Sequence, residues 1–590
     1  MSNVTIRQPV RASELTERQK PIEDDGGLPE AGTADVFPQS VASGGPKPES
    51  VILWTRIAPE RYEPAESLYL EVATDRRFEG ETRVFEFDGP GVKPPDNYTI
   101  RVELDYDAID HDSVYYYRFI YRGVRSNTGR CRTLPAEDSE PESVQFGVLN
   151  CQDYQNGYFG AMAHLAEADV DFVLHLGDYI YEHVAEGVPE SVDGSYPDRR
   201  IDLPDSGTRP MSLDDFRRIY ETYRTDRHLQ RLHERHTVIQ TWDDHAIAND
   251  RYWDYDADAP VFPDHPCGDV PEFTRYLTSV GIQAWWEFIP GRIEYDPGAD
   301  HIHESFTLYR SLQFGDLLTL ALTDERLFRS EPRSWRAALL DSWSEPDPSR
   351  TMLGTAQRRW LRDTFRESET VWTAWANAVL FKRLYFLGKG FIFWEDAWSG
   401  FESERRSIVE TLTSVRERGN TSVVTLTGDM HLTLATRLLN ERRGDVPVGV
   451  EFMTPSVTSV NPRERAAEIG RRIGLGDEFG RFTSWLVRSV STSRGAGYLS
   501  DAGFLPEFAL SDGSQWGYSV ITFSRDACTW NVFWVDKTED SAASECEPAY
   551  RVHLPEGEYA IHERNESALG PDDESIVSDG GTEDGLLDEG

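Results

Sequence analysis

Three apolar, strand-like runs in this chain end in acids and a histidine: FVLHLGDYIYEH (172–183), TVIQTWDDHAIAND (237–250) and VVTLTGDMHLTLATR (423–437). Polar residues normally follow strands, so one such ending carries little. Three of them match the way α/β sheets collect ligands from the carboxyl ends of separate strands into one crevice. Carboxylates and imidazoles gathered there repel or desolvate one another unless a cation sits between them. The pattern points to an α/β fold built around a metal centre with more than one ion.

At 590 residues the chain exceeds one small core, which implies two or more domains. Its 60 basic and 103 acidic residues leave a formal charge of −43, and only six of the basic residues are Lys. Nucleic acid and anionic membranes are polyanions, so no nucleic-acid-binding surface is expected on such a chain. Acids spread through every region, with so little Lys, resemble the proteins of salt-loving organisms, where salt screens self-repulsion. An acidic mesophilic protein is the alternative. Cys131, Cys151, Cys267, Cys528 and Cys546 are few, odd in number and without a CxxC, which fits no disulfide framework. The N-terminal stretch has no apolar leader segment or adjacent arginine pair, and no run approaches 18 apolar residues. A membrane span is therefore not expected, and the cytoplasm is the expected location.

Residues 1–34 read as a loose tail. From 35 to 134 the pattern is β throughout, in runs such as SVILWTRI (50–57), SLYLEVATD (67–75), NYTIRVEL (97–104) and SVYYYRFIYRG (113–123). Turn residues separate them at short spacing, as in a small β-sandwich. The acidic stretch 135–143 reads as a linker to the main domain, 144–560. That domain opens as a βαβ unit: a strand ending at Asn150-Cys151, a helix near 160–169, then FVLHLG. Segment 213–236 reads as helical, and 255–310, rich in Pro, Gly and Asp, as an insertion with long loops. Further strands at 316–329, 370–381 and 422–429 alternate with helices at 356–365 and 402–419. The acidic segment 564–590 reads as a disordered tail.

Gly177 before Asp178 lets the chain turn sharply and carry a carboxylate to the strand tip, where Asp178 is a bridging metal ligand or a helix cap. Asp244 in TWDDH is suited to a metal, and His245 beside it to donating a proton or hydrogen bond to a reacting phosphate. In GDMH, strand-like alternation would place Asp429 and His431 on one face. Cys151 is either a small buried hydrophobe or a thiolate ligand. Tyr181 is a packed aromatic, or a phenolate ligand if the metal is ferric.

The order of these motifs resembles the PhoD-like alkaline phosphatases of the metallophosphatase superfamily. FPQSVASGGPKPESVILWTRIAP (37–59) is similar to the opening of that family's N-terminal β-domain. NCQ, HLGDYIYE, TWDDH, MLGTAQRRWL (352–361), EDAWSGFESERR (395–406), TLTGDMH and EFMTPSVTS (451–459) follow in the family's order. The resemblance implies a metallophosphatase-type β-sandwich flanked by helices, with an N-terminal all-β, Ig-like domain. It implies ferric iron and calcium, with other divalent metals as alternatives. Cys151, Asp178 and Tyr181 match the iron-binding positions; Asp244, Asp429 and His431 fall where further metal ligands are expected, with Asp178 the bridge. His245 matches the histidine that assists the transferred phosphoryl group. Arg326 matches an arginine that could pair with phosphate oxygens, and Asn377 is a further ligand or phosphate contact.

The implied substrates are small or polymeric phosphate esters. Phosphodiesterase or phospholipase D-like activity at the same centre is the enzymatic alternative, and a metal-lost binding module is the non-enzymatic one. Three departures stand out: Ala246 where the family carries an acid after DDH, Asn150 where it carries a small residue before the Cys, and no twin-arginine leader, although family members are often exported.

Overall fold

The computed structural model describes residues 8–18, 32–87, 96–184, 196–205, 207–333, 346–383, 385–386, 391–392, 396–472, 479–481, 509–540 and 547–563. The expected tail at 564–590 lies outside the described residues, as does Cys546.

Two sheets face each other at the centre. The larger has 11 strands, in the order Val10–Arg11, Thr99–Leu104, Ser50–Arg56, Val41–Lys47, Thr237–Gln240, Phe172–His175, Ser143–Leu149, Gly517–Ser524, Ala527–Trp534, Tyr550–Pro555 and His562–Glu563. The smaller has 7: Arg310–Phe314, Leu318–Leu322, Trp372–Ala376, Ser422–Thr427, Val446–Met453, Thr433–Asn440 and Leu510–Asp512. In the larger sheet Ser143–Leu149, Phe172–His175 and Thr237–Gln240 are parallel; in the smaller, Leu318–Leu322, Trp372–Ala376, Ser422–Thr427 and Val446–Met453 are. Strands covered on both faces read as continuous apolar runs rather than as alternation, and every residue of Ser422–Thr427 is buried.

Phe146, Val148, Leu174 and Ile239 of one sheet meet Leu318, Trp372, Leu426 and Phe452 of the other in a single core. The other face of the larger sheet packs against the helices Gly160–Glu167, Leu213–Tyr223, Arg227–Arg235 and Pro271–Phe288, through Met162, Phe216, Leu232 and Trp285. The helices Gly354–Glu367 and Glu402–Arg418 cover the smaller sheet through Leu361, Phe365, Ile408 and Leu412. The result is a helix–sheet–sheet–helix stack. No helix among the described residues is long and apolar enough to cross a membrane.

The N-terminal region is all-β, as expected, but it is not a bead on a string. Its second layer, Gly129–Arg132, Val114–Tyr121, Leu68–Ala73, Thr82–Phe87 and Thr16–Arg18, packs Leu70, Tyr117 and Phe119 against Val41, Leu53 and Val102. Those last three belong to strands of the 11-stranded sheet, because Val41–Lys47 pairs in parallel with Thr237–Gln240. Gly44 permits that approach: a Cβ there would lie 2.0 Å from the Pro290 carbonyl oxygen and 2.8 Å from that of Val238.

Two expectations need correction, and the helical reading of 213–236 holds with a break. Within the segment read as a tail, Val10–Arg11 and Thr16–Arg18 are strands, paired to Thr99–Leu104 and Thr82–Phe87. Segment 213–236 is two helices, because Asp226 caps the second through the amides of His228 and Leu229 at 2.8 and 3.0 Å. The supposed loop insertion contains the 18-residue helix Pro271–Phe288. Its β-branched and aromatic residues are modest helix formers; burial of Leu277, Ile282 and Trp285 decides their state.

Candidate metal centre

The parallel strands of both sheets deliver their side chains to one place. Cys151 follows Ser143–Leu149; Asp178 and Tyr181 follow Phe172–His175; Asp243, Asp244 and His245 follow Thr237–Gln240. Arg326 follows Leu318–Leu322, and Asp429 and His431 follow Ser422–Thr427. The turns are tight. Cys151, Asp178, Asp429 and His431 have φ of 52°, 53°, 67° and 54°, in the left-handed region. Each such residue costs on the order of 1–2 kcal/mol relative to right-handed backbone, and strain of this kind clusters at functional sites. Gly177 has φ 128°, and a Cβ on it would sit 2.7 Å from that of Asp243, so the two acid-bearing turns meet only over a glycine.

These conformations overturn the strand-alternation argument for GDMH. The strand ends at Thr427, and the Met430 amide folds back onto the Gly428 carbonyl at 2.8 Å. Asp429 and His431 reach the centre through a turn.

Two ligand sets share a residue. One potential donor atom from each of Cys151, Asp178 and His431 lies within 4.8 Å of the others, and so does one from each of Asp178, Asp244 and His245. Asp178 belongs to both, the place of a bridge. In the first set, Cys151 Sγ is 3.6 Å and Tyr181 Oη 3.2 Å from Asp178 Oδ2, and Tyr181 Oη is 3.2 Å from His431 Nε2. His431 Nδ1 is 2.7 Å from the Val460 carbonyl oxygen; a carbonyl only accepts, so Nδ1 carries the proton and Nε2 keeps its lone pair.

The electrostatics fit a cation. Asp178 Oδ1 and Asp429 Oδ2 are buried with no hydrogen-bond partner, whereas buried polar atoms are bonded as a rule. Burial raises the Asp178 carboxyl well above its usual range and Asp243 and Asp244 add to it, while His245 opposes them. Burial likewise raises Asp429, with Asp243 and Asp396 adding and Arg326 opposing. Burial pushes the Cys151 thiol up, assisted by Asp178 and Asp243. Such groups ionise readily only beside positive charge.

Asp244, by contrast, is held low: burial would raise it, but Arg326 and His245 outweigh burial. Its Oδ2 accepts the Asp250 amide at 2.8 Å. Burial pushes Asp250 itself up to about 8, with Asp396 and Asp244 adding to the effect. Asp244, Asp250 and Asp396 form a further candidate ligand set.

Arg326, expected as a phosphate contact, is engaged by carboxylates. Its side chain is fully buried and grips Asp243 through Nε and Nη2. Nη2 also donates to Asp429 at 2.9 Å, and Nη1 to Asp396 at 2.9 Å, with Asp244 at 3.3 Å. Four carboxylates converging away from water demand a resident cation, and the arginine supplies it. Arg329 extends the hub to Asp396 at 2.5 Å. Asn377 also departs from expectation. Its amide nitrogen donates to the Val379 carbonyl at 2.5 Å and its oxygen accepts the Trp398 indole at 3.0 Å, so it braces a core turn.

His245 is placed by residues the sequence reading missed. Its Nδ1 is 2.7 Å from Glu182 Oε2, and its ring lies 4.1 Å from that of Tyr181. Glu182 Oε1 also accepts the Asn249 amide at 2.7 Å and lies 3.2 Å from His183 Nε2. Burial alone would raise Glu182; His183 and His245 outweigh it and bring the group down to about 2. Glu182 stood in the first motif and Asp396 in EDAWSG, but nothing in local spacing separates an orienting acid from a solvated one.

The family model "PhoD-like phosphatase" matches residues 146–531, and "PhoD-like phosphatase, N-terminal domain" matches 24–135. Alkaline phosphatase D of Bacillus subtilis (strain 168) is 30% identical over 432 residues, 72% of this chain and 69% of that protein. A solved structure titled "Structure of PhoD" superposes with a TM-score of 0.71 at 24% identity, covering 90% of this chain and 92% of the other.

Proposed function

Because the chain belongs to the PhoD-like phosphatase family, we propose that it is an alkaline phosphatase hydrolysing phosphate esters at the strand-end centre, within a metallophosphatase-type sandwich. One observation carries this reading: ligand-type side chains from four separate strands meet around two buried carboxylate oxygens that no protein group satisfies. Cys151, Asp178, Tyr181 and His431 would hold ferric iron, whose taste for thiolate, phenolate and imidazole suits this set. The oxygen-rich side, with Asp244, Asp429, Asp250 and Asp396, suits calcium. Bound cations there supply Lewis-acid polarisation of the phosphate and activation of water.

The chain's own groups do the rest. Arg326 and Arg329 favour the charged forms of Asp244 and Asp396, and Arg326 fixes Asp243 and Asp429 in place, so the site needs little rearrangement as charge develops on the phosphoryl group. His245 has Nδ1 committed to Glu182, so the proton it can hand to the departing alkoxide is the one on Nε2. The Tyr181 ring packs against the imidazole, with centroids 4.1 Å apart.

Elemental analysis of the purified protein, together with Asp178→Asn and His431→Ala, tests the proposal. Stoichiometric metal in the wild type and loss of turnover in both variants, with unchanged circular dichroism, are expected. A metal-free protein, or a folded variant that still turns over, refutes it. Rates on bis- and mono-(p-nitrophenyl) phosphate then rank diesters against monoesters.

A further inference from the structure

The segment 454–461, which follows the strand Val446–Met453, is buried throughout, and only its Val460 carbonyl, which fixes the His431 tautomer, has a role in the proposed chemistry. It touches three of the four residues of the first ligand set. The Thr458 and Ser459 amides donate to the Cys151 carbonyl at 3.4 and 3.3 Å, and Ser459 Oγ reaches the same oxygen at 2.8 Å. Ser459 Oγ also lies 2.7 Å from Tyr181 Oη. The Val460 carbonyl takes His431 Nδ1 at 2.7 Å.

The segment is itself strapped down. Lys537 Nζ and Asn156 Nδ2 each donate to the Thr458 carbonyl at 3.0 Å, Thr458 Oγ1 donates to the Asp153 carbonyl at 2.7 Å, and the Trp516 indole donates to the Ser459 carbonyl at 3.1 Å. Cys151, Tyr181 and His431 come from three different strand ends, and two of them sit in left-handed backbone. Their relative placement needs an external brace, and Lys537 and Trp516 anchor this one from outside all three strand ends.

We propose that Ser459 is a positioning residue of the metal centre: its hydroxyl lies between the Cys151 carbonyl and the Tyr181 phenolic oxygen, gives its one proton to the phenolate when Tyr181 is a ligand, and thereby sets how long a bound metal is retained. The inference rests on the reading that Cys151, Asp178, Tyr181 and His431 hold a cation. Partners of ligands typically change metal affinity by about 10–100-fold when removed. The structure supplies its own control in Thr458, whose hydroxyl anchors the same segment but touches only the Asp153 carbonyl.

The test measures iron and calcium per chain during timed dialysis of the full-length protein against EDTA. The wild type, Ser459→Ala, Ser459→Cys and Thr458→Ala are compared, with the thermal midpoint of each stripped protein recorded. Ser459→Ala is expected to lose metal about 10–100-fold faster than wild type. Ser459→Cys, which keeps a weak donor, should fall between them. Thr458→Ala should lower the midpoint but release metal at the wild-type rate. Equal release from Ser459→Ala and wild type, or equal acceleration by Ser459→Ala and Thr458→Ala, overturns the proposal alone. A wild type without bound metal overturns it together with the reading beneath it.

Discussion

Glu182→Gln changes almost no volume but removes one acceptor from a carboxylate that serves three donors. In the native protein Oε1 takes the Asn249 amide at 2.7 Å, with His183 Nε2 at 3.2 Å, and Oε2 pairs with His245 Nδ1 at 2.7 Å. A main-chain N–H cannot accept, so the glutamine oxygen must stay on Asn249 and its NH2 must face His245. The imidazole Nδ1 then becomes the acceptor, and the ring's proton sits on Nε2 of a neutral histidine, which does not release it. A well-placed general acid contributes about 10²–10⁴-fold, so kcat for an alkyl phosphate should fall by about that factor. For p-nitrophenyl phosphate, whose leaving group departs as a stabilised anion, the loss should stay below about tenfold, since proton transfer is worth little there. The assay is steady-state hydrolysis of both substrates by wild type and variant at equal, measured metal content. A loss of the same size on both substrates, or an alkyl phosphate rate unchanged from wild type, would refute the orienting role of Glu182. Glu182 is held at about 2, below its usual 4.5, so its contribution to stability is present above pH 4.5 and lost as pH falls toward 2. It stays ionised across the assay range.

Two predictions concern stability rather than turnover. In metal-stripped protein Asp178→Asn should stabilise the fold by about 1–3 kcal/mol, since it removes a buried carboxylate with a partnerless oxygen; urea midpoints that fall instead would argue against a site strained for metal. Burial, with Asp324 and Asp243 adding, pushes Glu325 up to about 8 from its ordinary 4.5, and one of its oxygens lacks a partner. The folded protein then holds a proton that the unfolded chain has lost between pH 4.5 and 8. Wild-type stability should therefore decline across that window relative to Glu325→Gln, by up to about 1.4 kcal/mol per pH unit; parallel curves would show Glu325 to be unperturbed.

Much of the chemistry was legible in one dimension. Cys151, Asp178, Tyr181, Asp244, His245, Asp429 and His431 stand at the ends of apolar runs, and a parallel strand must carry the residues that follow it to the sheet edge, whatever its neighbours are. The same periodicity marked the β-rich N-terminal region and most helices. What local pattern cannot encode is which surfaces, hundreds of residues apart, come to rest on one another. Arg326 read as a phosphate clamp because an arginine's partner is set by what surrounds it, and only the folded chain brings Asp243, Asp396 and Asp429 around it. Asn377 faces Trp398, Glu182 finds His245, and Val41–Lys47 joins Thr237–Gln240 through Gly44, each by long-range fit. Residue type and element type are local properties of the chain, whereas partner, charge state and left-handed turn geometry are consequences of burial, which only tertiary packing decides.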